Sequence, residues 1–379
     1  MKSDWKFGIL DDAVDKGSSN ISLNKIKDDD GEFPVFGAKG FVQNVSFYQQ
    51  ENQYLAIIKD GAGIGRVSIH PEKSSVLATM QYILPKQSYD IKFLYYFLNS
   101  IDFNKYRTGS TIPHIYYKNY KLEPFPLVSK EEQKQIVAKL DQCFEAIDKA
   151  KANAAKNLEN AKELFQSKLN DIFSQKGEGW VESTFKEICS IITDGTHQTP
   201  KYFDSGYIFL SSKNVTSGKI DWDNVKYLDE EQHNKMYKRL APKINDILLA
   251  KNGTTGVAAI VDIDKVFDIY VSLALLRPTE LIHPYYLLHF INSIKAKKQF
   301  NKRLKGSGVP NLHLKEIREV IINYPSNIAK QKEISGYIDK LMVGTKSLES
   351  KYQQELKSLE ELKKSILQKA FEGELIQLK

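Results

Sequence analysis

Apolar residues recur every three or four positions in two long stretches of this chain, and the segments around them are rich in aromatic and β-branched residues. The first stretch follows Ser129-Lys130-Glu131-Glu132, a capping box that starts a helix. It continues to Gly177, so the helix would extend roughly 60–70 Å at 1.5 Å per residue, too long for the interior of one domain. The second stretch begins near Ser326 and keeps heptad spacing over about four heptads. The pattern predicts the order globular, helix, globular, helix.

The two helical stretches are copies of one another, about 40 residues long and 198 positions apart without a gap. Each copy follows a longer and less helical segment, so the whole unit is duplicated. The matched residues are Gln133, Lys134, Ile136, Asp141, Leu158, Glu163, Leu164, Ser167, Leu169 and Phe173 in the first copy, and Gln331, Lys332, Ile334, Asp339, Leu356, Glu361, Leu362, Ser365, Leu367 and Phe371 in the second.

Two long amphipathic helices in one chain can bury their apolar stripes on each other. Small residues such as Ala150 and Ala161 on the first helix would let the axes approach closely. We favour an intramolecular antiparallel pair, which also generates a pseudo-twofold axis; homodimerisation through the same stripes is the alternative. The predicted interface comprises Ile136, Leu140, Ile147, Ala154, Leu158 and Phe165 with Ile338, Leu341, Leu348, Tyr352, Leu359 and Ile366.

The two globular segments, residues 1–128 and 177–325, share landmarks in the same order. Each segment contains a predicted strand, a glycine-rich turn and a second strand. The turns begin with Lys59-Asp60-Gly61 and with Lys251-Asn252-Gly253. Further on, Gly109–Ile115 parallels Gly306–Leu312. The predicted fold class is therefore α+β, with two β-rich globular domains separated by two long antiparallel coiled-coil helices.

Composition limits the possible environments. The 379 residues suffice for two domains, 41% of them are hydrophobic, and no run has the length and apolarity of a membrane span. The N-terminus lacks the apolar core of a secretory signal, and two cysteines suggest no disulfide framework, so we expect a cytoplasmic protein. The formal net charge of +7 permits a nucleic-acid partner without requiring one.

The sequence contains no recognisable catalytic signature. Gly61-Ala62-Gly63-Ile64-Gly65 is not followed by Gly-Lys-Ser/Thr, so we interpret it as a hairpin turn and not a phosphate cradle. The seven histidines are scattered and no cysteine pair lies near them, so no metal site is predicted. We interpret the chain as non-catalytic.

Nucleic-acid contacts are the more plausible chemistry, because cations and polar side chains lie beside glycines in predicted loops. Any single residue has the alternative interpretation of a solvated lysine or a turn-forming side chain, so the prediction rests on the loops as sets. The candidates are Lys39, Lys59, Arg66, Arg107, Ser110, Thr111 and His114 in the first segment, and Thr196, His197, Gln198, Lys201, Ser211, Lys213, Asn214, Lys251, Asn252, Thr254, Thr255, Arg303, Lys305, Ser307 and Asn311 in the second.

Several motifs resemble those of type I restriction-modification specificity subunits, and together they cover the whole chain. The string LKKSILQKAFEGEL (Leu362–Leu375) and its echo LFQSKLNDIF (Leu164–Phe173) resemble the helical regions of that family. The stretch ITDGTHQTPKYFDSGYIFLSSKNVTSGKIDW (Ile192–Trp222) is similar to the opening of a target recognition domain. Shorter resemblances are FPVFG (Phe33–Gly37), GSTIPHI (Gly109–Ile115) and GSGVPNL (Gly306–Leu312).

The resemblance implies a target recognition domain at 1–128, a helical spacer at 129–176, a second recognition domain at 177–325 and a second spacer at 326–379. Each domain would recognise one half of a bipartite, asymmetric site in double-stranded DNA. Two modification subunits would bind S-adenosylmethionine and methylate adenine N6, and restriction subunits would use ATP and Mg²⁺; no cofactor is expected in this chain. The first domain lacks the Asp-Gly-Thr-His opening, so its contacts are harder to assign.

Two alternatives come from other classes of protein. A specificity subunit of a type IIB-like system would recognise DNA in the same way and differ only in its partners. A coiled-coil adaptor with protein-binding heads would lack DNA binding that weakens steeply with salt.

If helix length sets the spacing of the half-sites, adding or removing one heptad around Ala150–Ala161 changes the unread spacer and leaves both half-site sequences unchanged. Sequencing of methylated adenines in cells that carry each variant measures the spacer and the half-sites together. Altered half-site sequences after the change in helix length would contradict this role.

Overall fold

The computed structural model describes residues 5–304 and 311–374. The chain divides into two compact units, one made of Met1–Ala155 and Gln353–Lys379 and the other of Lys156–Tyr352. Each unit contains one globular head and parts of two long helices. We call residues 5–128 head 1 and residues 177–325 head 2.

Head 1 begins and ends with strands that pair with each other, and short helices connect the strands between them. Its strands are β1 (Lys6–Ile9), β2 (Val14–Ser18), β3 (Phe33–Gly37), β4 (Gly40–Val45), β5 (Tyr54–Ile58), β6 (Val67–His70), β7 (Ser75–Val76), β8 (Met80–Pro85) and β9 (Pro124–Leu127). Its α-helices are α1 (Leu10–Ala13), α2 (Leu23–Ile26), α3 (Ile91–Ser100) and α4 (Tyr117–Tyr120), and the first long helix, α5 (Lys130–Phe173), follows.

The described residues of head 2 also form nine strands, which follow one another in the same order. They are β10 (Trp180–Thr184), β11 (Cys189–Asp194), β12 (Tyr207–Leu210), β13 (Lys226–Leu228), β14 (Ile247–Ala250), β15 (Ala258–Ile260), β16 (Phe267–Ile269), β17 (Leu273–Pro278) and β18 (Ile321–Pro325). Its α-helices are α6 (Phe185–Ile188), α7 (Glu230–Arg239), α8 (Pro284–Ile291), α9 (Ile294–Arg303) and α10 (Leu314–Arg318), and the second long helix, α11 (Ile328–Phe371), follows.

The two heads share one sheet topology. In head 1 the strand orders are β2-β8-β5-β6, β4-β3-β7 and β1-β9, and in head 2 they are β11-β17-β14-β15, β13-β12-β16 and β10-β18. In the three-stranded sheets, β3 with β7 and β12 with β16 are the parallel pairs. The duplication predicted from the helices therefore extends to the heads, and the α+β class is confirmed.

Each long helix contains 44 residues, and the predicted start of the first is confirmed. The backbone N–H of Glu132 donates to Ser129 Oγ at 3.3 Å, and Glu132 in turn accepts from the Ser129 backbone N–H at 3.0 Å. This reciprocal pair satisfies donors at the helix N-terminus that have no partner inside the helix. Within the residues described, no helix is long and apolar enough to cross a membrane.

The core of each head is completed by both long helices. In the first unit, Ile136 near the start of α5 and Phe371 at the end of α11 lie in one apolar cluster with α3. The ring of Phe371 packs edge-on against Phe93 and Phe97, with centroids 5.3 and 5.4 Å apart. One end of each helix therefore closes head 1.

Head 2 is closed in the same way with the helices exchanged. Phe173 at the end of α5 packs edge-on against Tyr286 and Phe290 of α8, at 5.4 and 5.3 Å. Ile338 of α11 belongs to the same buried cluster. Phe173 and Phe371, which the repeat aligns, thus fill equivalent positions in different heads.

A buried glutamine fixes the start of each long helix to its head. Gln133 is 1% exposed; its side-chain oxygen accepts from the Asp90 backbone N–H at 2.8 Å, and its amide nitrogen donates to the carbonyls of Ser88 and Val128 at 3.2 and 3.1 Å. Gln331 forms the matching set in head 2 and is fully buried. The repeated glutamine is therefore a structural residue.

The predicted intramolecular antiparallel pairing of the helices is confirmed within the first unit. Lys151 of α5 forms an ion pair with Glu360 of α11, and Asp148 Oδ1 lies 3.3 Å from Lys363 Nζ. Residue numbers rise along one helix as they fall along the other, so the two run in opposite directions.

Much of the apolar stripe predicted for the helix-pair interface also packs into a head core. Periodicity shows that a helix face is apolar and does not show what covers it. Residues that contribute to a head core are Ile136, Leu140, Ile147, Leu359 and Ile366 in the first unit and Phe165 and Ile338 in the second. Of the others, Ala154 is buried, Leu158, Leu341 and Tyr352 are half-buried, and Leu348 remains 44% exposed.

Replacing Gln331 by Ala is expected to lower the free energy of unfolding by about 2–3 kcal/mol, because buried backbone groups lose their partners. These are the His283 N–H at 2.7 Å and the carbonyls of Leu281 and Pro325 at 3.0 and 2.8 Å. Thermal or urea denaturation measures the change, and Gln354→Ala on the exposed face of α11 is the control. Equal effects of the two substitutions would contradict the structural role.

Candidate nucleic-acid interface

In head 1, the turn after β5 is joined to neighbouring loops by backbone hydrogen bonds. The Lys59 N–H donates to the Thr79 carbonyl at 3.0 Å, and the Lys59 carbonyl accepts from the Ile115 N–H at 2.9 Å. The turn closes when the Gly65 N–H donates to the Ile58 carbonyl at 2.9 Å. As predicted, the glycine-rich segment is the connection of a hairpin, since β5 and β6 are antiparallel.

Head 2 has the same backbone frame at the turn after β14. The Lys251 N–H donates to the Ser272 carbonyl at 2.9 Å, and the Lys251 carbonyl accepts from the Leu312 N–H at 2.9 Å. Gly256 closes the turn on Ala250 at 2.9 Å. The landmarks matched by sequence are therefore structurally equivalent, and we call this frame the loop junction of each head.

Each loop junction carries a β-bridge between equivalent residues, but the side chains differ. In head 1 the bridge joins Asp60 and His114, and Asp60 Oδ1 lies 2.7 Å from His114 Nδ1. In head 2 the bridge joins Asn252 and Asn311. The same frame thus presents an acid–imidazole pair in one head and two amides in the other.

The junction of head 2 also contains a buried ion pair. Lys251 Nζ lies 3.2 Å from Asp194 Oδ2, and the two side chains are 6% and 9% exposed. The other oxygen of Asp194 lies 3.3 Å from Nε2 of His197, whose side chain is 73% exposed. These groups, with Asn252 and Asn311, line an open cleft of about 630 Å³.

The Asp-Gly-Thr-His segment is held against the end of β16. The Thr196 N–H donates to the Ile269 carbonyl at 3.0 Å, and the Val271 N–H donates to the Thr196 carbonyl at 2.9 Å. A Cβ at Gly195 would lie 1.9 Å from the Ile269 carbonyl oxygen, so only glycine fits this approach. The motif therefore positions Asp194 beneath the junction.

The sheet register shows which residue of head 1 occupies the position of Asp194. Asp194 pairs with Ala274 across β11 and β17, whereas the equivalent position in head 1 is Ser18, which pairs with Gln81 across β2 and β8. Lys59 is only half-buried, unlike Lys251, so it needs no buried counter-charge.

Several predicted contacts are exposed at or near the junctions. Arg66 is exposed, and its guanidinium donates to the Ala38 carbonyl at 2.9 Å, which places it beside Lys39 at the β3–β4 turn. Lys201 is exposed, and its backbone N–H donates to Gln232 at 2.9 Å. The other exposed candidates are Arg107, Ser110, Thr111, Gln198, Lys213 and Thr254, and Thr196 and Thr255 are half-buried.

Four predicted contacts require correction, because their side chains are used inside the protein. Lys251 is buried against Asp194. Asn214 is buried, accepts from the Ser211 backbone and hydroxyl, and donates to the Asn224 carbonyl at 2.9 Å, so both residues serve the local turn. The guanidinium of Arg303 donates to backbone carbonyls of residues 299 and 319. Lys305 and Ser307 lie outside the described residues.

The structure adds residues that the sequence prediction omitted. Asp194 is the buried partner of Lys251, while exposed His313 and Lys315 line the same cleft. Asp194 belongs to the Asp-Gly-Thr-His motif, but the motif does not reveal its ion pair with Lys251, which lies 57 positions later. No periodic or motif-based signal pointed to His313 or Lys315.

Three other histidines, His70, His233 and His289, are buried away from the junctions. Burial lowers the pKa of His70 to about 4, so this ring is neutral at pH 7; Ser68 Oγ lies 2.7 Å from its Nε2, and Tyr54 stacks on it. His233 lies 2.7 Å from Asp268, and burial raises the pKa of that carboxyl group. Across residues 5–304 and 311–374, no group of three or more His, Cys, Asp or Glu side chains is arranged to hold a metal ion.

The model of the Type I restriction modification DNA specificity domain matches residues 2–157 and 177–358. The chain belongs to this family. The domain occurs twice, which agrees with the duplicated topology of the heads, and the resemblance inferred from the sequence motifs is confirmed.

Relatives within the family match most of the chain. The MjaVIII specificity subunit of Methanocaldococcus jannaschii is 26% identical over 355 residues, which cover 88% of this chain and 81% of the relative. The EcoKI specificity subunit of Escherichia coli is 24% identical over 369 residues, or 90% and 78% of the two chains.

Solved structures show the same fold. A chain from a type I R-M system, determined in work on complex assembly and conformational transition, aligns with a TM-score of 0.78 at 16% identity and covers 99% of both chains. The HsdS subunit from Thermoanaerobacter tengcongensis aligns with a TM-score of 0.62 at 16% identity, covering 98% of this chain and 97% of its own.

Replacing Lys251 by Ala is expected to lower the free energy of unfolding by about 3–5 kcal/mol, because Asp194 is left buried without its counter-charge. Lys213→Ala is the matched control, since Lys213 is exposed and surface substitutions change stability by about 0.5 kcal/mol or less. Thermal denaturation of both variants measures the difference. A Lys251 variant as stable as the control would rule out a stabilising role for the ion pair.

Proposed function

We propose that this chain is the DNA-recognising subunit of a type I restriction-modification system and that each head binds one half of a bipartite, asymmetric duplex target. The observation that carries the proposal is the loop junction. Its backbone frame is the same in both heads, whereas its side chains differ. Two modules of one design with unlike surfaces suit a target whose halves differ in sequence.

Exposed cations on both heads support a duplex as the ligand. Lys39 and Arg66 lie together in head 1, and Lys201 and Lys213 are exposed in head 2. Lysine and arginine contacts to phosphates supply most of the non-specific affinity of DNA-binding proteins and make it depend on salt. Steep weakening of duplex binding with salt would separate this function from a protein-binding adaptor.

The long helices offer apolar surface for partner subunits. Within the second unit, a groove of about 390 Å³ lies between α5 and α11 and includes Phe165, Leu341 and Leu348. Leu164, which also lines this groove, is 61% exposed. Large apolar side chains clustered on a helical surface are typical of an interaction site.

We infer that two modification subunits dock on the helices and that restriction subunits join this assembly. The chemistry would belong to those partners, which would bind S-adenosylmethionine, ATP and Mg²⁺, while this chain acts without catalysis in the cytoplasm. A type IIB-like system would use the same DNA recognition with a single partner polypeptide. Isolation of the complex from the native host distinguishes the two.

Exchanging residues 1–128 for the corresponding head of another family member is expected to change one half-site and leave the other intact, because each head carries its own junction. Sequencing of methylated adenines in cells that express the chimera with the modification subunit measures both half-sites. The reciprocal exchange of residues 177–325 is the control and should alter only the other half. Simultaneous change of both half-sites in either chimera would contradict independent recognition.

A further inference from the structure

The bridged pair in each loop junction is the best-supported candidate for a base-reading site. In both heads, one partner follows the junction lysine and the other lies before the short helix that precedes the last strand, α4 in head 1 and α10 in head 2. Main-chain hydrogen bonds hold these positions whatever side chains they carry. The pair is therefore free to vary on a fixed frame.

The chemistry of head 1 at this position is unsuited to phosphate. Asp60 and His114 are 30% and 36% exposed, so the pair is reachable from solvent. The carboxylate lies 2.7 Å from Nδ1 of the imidazole, and in the neutral ring that carries its proton on Nδ1 the other nitrogen, Nε2, is an acceptor. A carboxylate beside an acceptor repels a phosphate but matches an exocyclic amino group on a base.

The chemistry of head 2 is a pair of amides. Among the residues that the structure describes, Asn252 Oδ1 and Asn311 Oδ1 are buried side-chain oxygens that accept no hydrogen bond. A buried polar group without a partner is unfavourable, so a ligand that supplies a donor is bound in preference to one that does not. Both residues line the 630 Å³ cleft.

The buried ion pair keeps this amide pair in place. Lys251 precedes Asn252 in the chain and is tied to Asp194 at 3.2 Å. Since the charges of Lys251 and Asp194 compensate each other, the floor of the cleft carries no net charge from them. The buried floor with its amide groups therefore suits a base edge, while exposed Lys315, which also lines the cleft, is available to a phosphate.

We propose that residues 60 and 114 in head 1 and residues 252 and 311 in head 2 are specificity-determining residues that contact a base edge in each half-site. In head 2, the Asn252–Asn311 pair offers amide donors and acceptors, the combination that recognises the N6 and N7 edge of adenine. In head 1, the Asp60–His114 pair accepts from the amino group of cytosine or adenine. This inference rests on the proposed function and assigns the residues that carry it out.

The test exchanges the pairs between heads in the complex with its modification subunit. The variant Asp60→Asn/His114→Asn gives head 1 the amides of head 2, and Asn252→Asp/Asn311→His makes the opposite change. We expect each variant to alter the preferred base at one or two positions of one half-site by roughly tenfold or more, with the other half-site unchanged. Sequencing of methylated adenines gives the base preference at every position.

Two matched controls carry similar chemical changes elsewhere. The controls are Asn301→Asp, at an exposed position of α9, and Asp15→Asn, at an exposed position of β2. Complexes that carry either control should methylate the wild-type motif. Thermal denaturation detects a double variant that fails to fold. In that case the base preference is measured in the single variants Asp60→Asn and Asn311→Asp, which are nearly isosteric with the wild type.

Two results would overturn the proposal. One is an unchanged base preference in variants that fold and methylate normally. The other is a uniform loss of methylation without any change in base preference, which would make the pairs phosphate contacts or structural groups. Failure of the proposed function gives a different result, because the wild-type complex would then yield no bipartite methylated motif.

Discussion

The structure depends on the closure of each head by the two long helices together. Each head binds a buried glutamine at the start of one long helix and packs a phenylalanine from the end of the other. These residues are Gln133 and Phe371 in the first unit and Gln331 and Phe173 in the second. Neither copy of the repeat contains both groups for its own head. Because a core that lacks an aromatic side chain loses several kcal/mol, a single copy would leave its head incomplete.

This arrangement accounts for part of the pattern of identities in the repeat. About half of the residues that match at an offset of 198 positions face a head, including Asp141, which binds Lys92 at 2.9 Å, and Asp339, whose Oδ1 lies 3.0 Å from His289 Nε2. Other matched residues, such as Glu163 and Leu164 with Glu361 and Leu362, are exposed on the helices. The contacts with the heads therefore explain the identities near the helix ends at Gln133, Ile136 and Phe173 and not those exposed positions.

The features that the sequence predicted are those with local causes. The capping box at Ser129, the helical periodicity and the glycine-rich hairpin depend on neighbouring residues, and all three appear in the structure. The features that the sequence prediction missed depend on distant contacts. A polar repeated glutamine gave no sign of burial, and Lys251 resembled a solvated lysine because its partner Asp194 lies on another strand. Burial of a polar group requires a partner, and that partner is rarely a sequence neighbour.

The heads show how a conserved frame can carry different electrostatics. The strand position that holds Asp194 in head 2 holds Ser18 in head 1, and the junction lysine is buried only where the acid is present. A buried ion pair adds little net stability compared with apolar packing, but the loss of one partner is costly, so the pair limits how the loop can be rearranged. Head 2 thus fixes its junction with side chains and glycine-dependent packing, whereas head 1 relies on main-chain bonds and leaves an acid–imidazole pair accessible. The Asp-Gly-Thr-His motif and the buried lysine thus occur together in head 2, and head 1 has neither.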